Sequence, residues 1–394
     1  MISDRVHRIQ PSFTLEMTAK AAALRNQGID VIDMGVGEPD FNTPENIRLA
    51  AKIAMDEGFT KYTPGMGLLE LRQAICEKLA RDNEIDCSPD QIIVSNGAKH
   101  SLSTACQALL NPGDEAVIFS PYWVSFPEFI RLADGTPIVV DTLSEQNFVP
   151  DFDDLEKKIT PNVRLMIINS PSNPTGAVWD KPTISRLLDY ATDQKWTVIS
   201  DECYEKLVYD ELFTSIEKLN QTGATILTIQ SLSKTYAMTG WRIGYAAGSP
   251  DIIKAMGKIQ GQATSCPNSI GQKAAVEALS GSQESVEEMR AKFRTRRNLM
   301  INRLNEIESV TCALPGGAFY AFPDISPYLG KSTQGKKIET SFDLSDYILD
   351  SARTVTVAGA GFGGEGHIRL SYATDEKNFL EGISRIEETL SQLE

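Results

Sequence analysis

The chain has 394 residues, 41% of them hydrophobic and 23% charged, with a formal net charge of -15. That length predicts two domains, or one large and one small, with ample core. The acidic balance argues against a nucleic-acid partner, because phosphate backbones are repelled, and any anionic ligand must find its cations gathered locally.

Met1 to Arg8 holds no apolar core of signal-peptide length, and no apolar run reaches the roughly 18 residues of a membrane span. The expectation is a cytoplasmic protein. Six cysteines (76, 87, 106, 203, 266 and 312) show no C-x-x-C pair, which reads as reduced buried thiols. His7, His100 and His367 are not at metal-ligand spacing, so no metal site is expected.

In chain order, short β-branched runs recur: Ile92-Ile93-Val94, Ala116 to Phe119, Leu165 to Ile168, Thr197-Val198-Ile199, Thr225 to Ile229, and Ile243 to Ala247. Runs that do not alternate suit strands buried on both faces. Helical stretches lie between several of them, for example Thr183 to Gln194. This predicts an α/β domain over residues 45–285 with a mostly parallel sheet. Beyond it, Val286, Met289, Phe293, Met300 and Leu304 share one helical face, with Glu287, Glu288, Arg294, Arg296 and Arg297 assigned to the others. That helix is expected to lead into a smaller α+β domain, residues 286–394, to which residues 1–44 return.

Ligands of open parallel sheets bind beyond the carboxyl ends of the strands, so the residues after each run matter most. Ser95-Asn96-Gly97-Ala98-Lys99 precedes a helical stretch from His100 to Leu110; a glycine turn opening a helix is either an ordinary connection or a phosphate site. Asn169 to Gly176 is a turn stiffened by Pro171 and Pro174, in which Asn173 holds a fixed amide. Asp201-Glu202-Cys203-Tyr204 puts an acid at a strand end, suited to a metal, a helix cap or a cofactor cation. Gln230 to Tyr245 gathers Ser231, Ser233, Lys234 and Arg242. A lysine among small apolar residues is a usable amine nucleophile, and an arginine fork holds phosphate. An amine for an aldehyde, an acid for a pyridinium nitrogen, donors for a phenolate and a phosphate cup together meet the needs of pyridoxal phosphate.

At this point the chain resembles the fold-type I aminotransferases, in particular the class I bacterial aspartate aminotransferases. The likeness rests on seven segments in order: Gly37 to Phe41, Lys61 to Pro64, Pro121 to Ser125, Asn169 to Gly176, Ser200 to Tyr204, Ser231 to Tyr245 and Ile368 to Thr374. The resemblance implies that Lys234 anchors pyridoxal 5'-phosphate and shuttles the proton, that Asp201 pairs with the ring nitrogen, and that Asn173 and Tyr204 bond the phenolic oxygen. It implies a phosphate cup of Ser231, Ser233, Arg242 and the backbone of Gly97, Ala98 and Lys99, with Trp123 stacked on the ring. Tyr62 is implied to reach the phosphate of the neighbouring subunit, hence a homodimer. Arg369 and Gly37 are implied at the substrate α-carboxylate, and Lys99, with Ser12 and Thr14, at the distal one.

The activity so implied moves the amino group of L-aspartate to 2-oxoglutarate, giving oxaloacetate and L-glutamate by a ping-pong mechanism. The alternatives are another specificity (aromatic, alanine or prephenate) or a β-lyase. Relatives that accept prephenate tend to carry Lys just before the Pro-Ser step, where this chain has Gln10 before Pro11-Ser12. Gly359, Gly361 and Gly364 match the dinucleotide fingerprint G-x-G-x-x-G, yet a strand-like run comes after it where a helix should open. The expectation is a glycine-rich turn that delivers Arg369.

Overall fold

The computed structural model describes residues 2–11, 13–333 and 335–394, without the side chains of Leu15 and Lys336. Its centre is a seven-stranded sheet: β1 (Ile92–Ser95), β2 (Glu115–Phe119), β3 (Thr136–Val140), β4 (Val163–Asn169), β5 (Thr197–Asp201), β6 (Thr225–Ser231) and β7 (Gly244–Ala247), in the order β1-β7-β6-β5-β4-β2-β3. All are parallel except β7, which runs antiparallel to both of its neighbours. The six apolar runs all became strands, and the edge strand β3 joined them. Helices cover both faces, so β1, β6 and β7 are buried almost end to end.

Register sets the geometry of the sheet edge. Asn169 is opposite Asp201, Asp201 is opposite Ile229, and Gly244 lies between Ser231 and Ser95. The ends of five strands therefore meet along one edge of the sheet. Because β7 runs backwards, it contributes its first residue there, where its parallel neighbours contribute their last.

Helix boundaries follow local chemistry. The helix expected from Thr183 spans Lys181–Asp193, because Asp180 caps it by accepting from Thr183 N and Pro182 fits its first turn. The helix expected from His100 opens two residues earlier, as α2 (Ala98–Leu109; α1 is Phe13–Asn26), with Gly97 at its cap. The long helix α3 spans Glu284–Leu304 and buries the five apolar residues assigned to its inner face. Two of its arginines depart from the expected outward faces. Arg297 is only 2% exposed and donates to Asp210 and to the carbonyl of Pro315. Arg296 is buried too and forks the carboxylate of Asp40 at 2.8 and 3.0 Å. An amphipathic pattern registers charge and does not see carboxylates supplied from far along the chain.

Past α3, Tyr320–Ala321, Ile368–Ser371 and Val357–Ala358 form an antiparallel sheet, and the short strand Ile32–Asp33 pairs in parallel with Thr354–Val355. The G-x-G-x-x-G segment makes a 3₁₀ turn, Gly359–Phe362, inside a hairpin whose returning strand carries Arg369. Among the described residues, no helix is long and apolar enough to cross a membrane.

Under the sheet edge lies a buried polar network. Lys78 donates to Glu205, Asn83 and Gln230; Gln230 donates to Glu202 and Glu205, at 3.0 Å each; Glu202 also accepts from Ser200, Ser215 and the backbone of Ile216. Burial pulls the Lys78 amine below its usual pKa, and Glu205 opposes that shift. Removing one partner of a buried pair leaves the other charge uncompensated. Lys78→Ala is therefore expected to lower folding stability by about 3–5 kcal/mol. Urea unfolding of the two proteins at pH 7 measures it, and a loss below about 1 kcal/mol would show that the network does not need its cation.

Candidate active site

The residues singled out at the strand ends converge on one cavity of about 450 Å³, a volume suited to a small organic ligand. Gly37, Ala98, Lys99, Trp123, Asn173, Asp201, Tyr204, Ser231, Ser233, Lys234, Arg242 and Arg369 all line it.

On the phosphate side, Gly97 caps α2 at φ +84°, a left-handed conformation that glycine adopts without strain. A Cβ on Gly97 would also come within 2.6 Å of the Arg242 guanidinium. The guanidinium thus lies directly over the opening of a helix, where backbone N–H groups and dipole favour an anion. Arg242 is steadied from below by its bond to the carbonyl of Thr239 at 2.9 Å. Ser231 caps the short turn Leu232–Thr235 by accepting from Ser233 N at 3.1 Å, and this turn presents Lys234 to the cavity.

Lys234 and Asp201 are the poised groups. The Lys234 amine donates to the carbonyl of Gly37, and burial lowers its pKa from 10.5 to about 8. A substantial neutral fraction therefore exists near physiological pH, as a nucleophilic amine requires. Burial raises the Asp201 pKa from 3.8 to about 6, against the backbone N–H and thiol of Cys203 that favour the anion. Asn169 braces this pair of strand ends: its amide donates to the Asp201 carbonyl at 3.1 Å, and its oxygen accepts from Asn173 N at 2.9 Å.

Arg369 is 3% exposed. It donates to Asn173 Oδ1 at 2.9 Å and to the carbonyl of Gly35 at 2.7 Å, while its buried Nε has no partner. Among the described residues, no carboxylate forms an ion pair with Lys99, Lys234, Arg242 or Arg369. Four basic side chains around one cavity, none of them held in an ion pair although Glu38 and Asp201 share the lining, suit an anionic ligand. The acidic chain keeps these cations local, as its composition required.

Lys99 stands on the first turn of α2, where the helix dipole disfavours a cation. Its ammonium lies 5.0 Å from the centre of the Trp123 ring, a cation–π contact. Burial and Arg242 lower its pKa. Thr14 and Thr18 of α1 line the same cavity, and Ser12 lies outside the described residues. Tyr62 is 89% exposed and lies apart from this cavity.

Sequence reasoning passed over Tyr320, Glu38, Thr239, Cys203 and Gly35, all of which line the cavity. Tyr320 sits on a two-residue strand and carries no motif of its own. Glu38 lies within the segment Gly37 to Phe41, but only the geometry shows that it accepts from Thr239 at 2.6 Å.

Comparison with known proteins now identifies the family. Residues 29–386 match the family model for aminotransferase class I and II. An aspartate/prephenate aminotransferase of Cereibacter sphaeroides is 45% identical over 98% of both chains, and an aspartate aminotransferase of Bacillus sp. strain YM-2 is 43% identical over 98% of both. The crystal structure of the aspartate aminotransferase from Rhizobium meliloti superposes with a TM-score of 0.96, at 40% identity, covering 100% of each chain. The chain belongs to the class I and II aminotransferase family, is a pyridoxal-phosphate-dependent enzyme, and has the fold-type I architecture.

The electrostatics of Asp201 can be tested without an activity assay. The folded pKa of Asp201 lies above its unfolded value, so the folded state binds the extra proton between about pH 4 and 6 and loses stability as pH rises through that window. Asp201→Asn removes that penalty. The cofactor-free variant is expected to be more stable than wild type above pH 6, by about 3 kcal/mol at most, with the gain gone near pH 4. Urea midpoints across pH 4–8 measure it. A gain that does not depend on pH would contradict the strained carboxylate.

Proposed function

We propose that this enzyme transfers the amino group of L-aspartate to 2-oxoglutarate, with pyridoxal 5'-phosphate held by Lys234. One observation carries the reading. Among the described residues, a buried carboxylate without an ion-pair partner and a buried amine whose pKa burial lowers face one cavity, beside a capped helix and an arginine that no ion pair holds. When bound, pyridoxal phosphate supplies an aldehyde for the amine and a ring that withdraws electrons from the substrate α-carbon.

The residues present fit that group. Asp201, at the end of β5, would meet the ring nitrogen, and a cation there would draw its pKa back down. Tyr204 and Asn173 offer hydrogen bonds to the phenolic oxygen. Ser231, Ser233, Arg242 and the backbone of Gly97, Ala98 and Lys99 would hold the phosphate, and Trp123 would offer its face to the ring. The Lys234 amine would take a proton from the substrate α-carbon and return it.

Arg369 forks the α-carboxylate, with Gly37 beside it, and Lys99 reaches the distal carboxylate across the Trp123 face. Residues 1–44 and 286–394 form the small domain, which closes over the substrate and excludes water from the large domain, 45–285. The active unit is a homodimer. The exposed Tyr62 lies in a stretch that also exposes Leu49, Ile53, Met55 and Leu69, an apolar surface that a second subunit would cover. The name of the Cereibacter sphaeroides relative keeps prephenate as a second acceptor to assay.

Three experiments test this. In single-turnover titrations of the visible cofactor band, aspartate and glutamate should convert it and Lys234→Ala should not. Lys99→Ala should raise KM for aspartate and 2-oxoglutarate about tenfold while leaving phenylalanine within about twofold, the difference expected of a charge-assisted bond in a closed pocket. Equal effects on acidic and neutral substrates would remove Lys99 from specificity. For assembly, mixed dimers of Tyr62→Phe and Lys234→Ala should hold one intact site and one doubly damaged site. No fully active site in such mixtures would mean that each subunit uses its own Tyr62.

A further inference from the structure

Tyr320 touches both halves of this site. It is 1% exposed, and its hydroxyl lies 2.9 Å from the hydroxyl of Tyr204. Its ring meanwhile lies under the Arg369 guanidinium, at 4.5 Å from the ring centre, with Phe362 at 5.0 Å. The loop that holds Gly37 passes close by: a Cβ on Gly37 would come within 3.3 Å of the Tyr320 hydroxyl. One side chain therefore contacts the residue assigned to the cofactor's phenolic oxygen and the residue assigned to the substrate carboxylate.

The two contacts are chemically distinct. Arg369 has no carboxylate partner in an ion pair among the described residues, and the negative faces of Tyr320 and Phe362 support its guanidinium beside the carbonyl oxygens of Asn173 and Gly35. The hydroxyl pair has a direction once Tyr204 commits its proton to an anionic oxygen in the cavity. Tyr204 then accepts from Tyr320, and a chain of two hydroxyls polarises in one sense. Tyr320 makes Tyr204 a stronger donor than it would be alone.

We propose that Tyr320 is a positioning residue that couples the two ends of the site, its hydroxyl strengthening Tyr204 as a donor and its ring face holding Arg369 ready for the α-carboxylate. This rests on the pyridoxal phosphate reading above. The two functions separate by substitution, because Tyr320→Phe removes the hydroxyl and keeps the ring.

The test uses the intact enzyme loaded with pyridoxal phosphate and reads two quantities. The first is the pH midpoint of the visible band of the bound cofactor, which depends on how well a negative charge on the phenolic oxygen is stabilised. Tyr320→Phe should move that midpoint upward by roughly 0.5–1 pH unit, the effect of one hydrogen bond. The second is KM for aspartate, which Tyr320→Phe should leave within about twofold. Tyr320→Leu should raise that KM by roughly 3–30-fold, the range of a desolvated cation–π contact, and Tyr320→Met replaces it if the leucine variant does not fold. In a Tyr204→Phe background, Tyr320→Phe should produce no further spectral shift, because its effect passes through Tyr204. A Tyr320→Phe midpoint equal to wild type, or a shift that adds fully to that of Tyr204→Phe, overturns the coupling. A wild-type protein that takes up no pyridoxal phosphate overturns the cofactor reading instead.

Discussion

A carboxylate and an amine, Asp201 and Lys234, are buried against one cavity without forming an ion pair. In a low-dielectric interior such groups attract strongly, and pairing would relieve both. The fold prevents it by giving each a tether. Asp201 ends β5 and accepts from Cys203 N, while the Lys234 amine is drawn to the carbonyl of Gly37 on a loop from the other end of the chain. The two pKa values shift in opposite directions, upward for the acid and downward for the amine. Burial is the first cause of both. The same desolvation that penalises both charges prepares an acid to meet a cation and an amine to attack an aldehyde.

Keeping them apart places demands on much of the molecule. The register of β4, β5 and β6 sets Asn169 beside Asp201, and Asn169 in turn holds the turn that carries Asn173. Asn173 accepts from Arg369, which ties the large sheet to the hairpin after Gly359. Arg369 also takes the carbonyl of Gly35, which binds the N-terminal loop into the same arrangement. Three stretches of chain more than a hundred residues apart thereby share one short path of hydrogen bonds. The Lys78 network lies behind it, where Glu202 and Gln230 tie β5 to β6 immediately next to the functional residues Asp201 and Ser231.

The structure also shows why position along a helix is an incomplete guide to charge. Lys99 opens a helix whose dipole disfavours a cation, and it settles over the face of Trp123. Arg296 and Arg297 sit on what pattern alone marks as the polar side of α3, yet Asp40 and Asp210 draw them inward. In each case the compensating group comes from a distant segment. Local periodicity carries no record of it.

What the sequence determined by itself was the chemistry and most of the frame. Strands buried on both faces must be continuously apolar, so the six runs were legible. Residues placed just after such runs must stand at the sheet edge, so Asp201, Asn173 and the segment from Ser231 to Arg242 could be named with their chemical capacities. The glycine triplet was legible as a turn because a strand-like run comes after it. The tertiary structure alone decided the rest: that β7 runs antiparallel, that Asn173 and Arg369 bond each other, that Glu38 meets Thr239, and that Tyr320 lies between Tyr204 and Arg369. Those facts depend on contacts between residues far apart in the chain. Such contacts are set by packing and register, and a side chain without a local motif, as Tyr320 is, becomes visible only when the chain is folded.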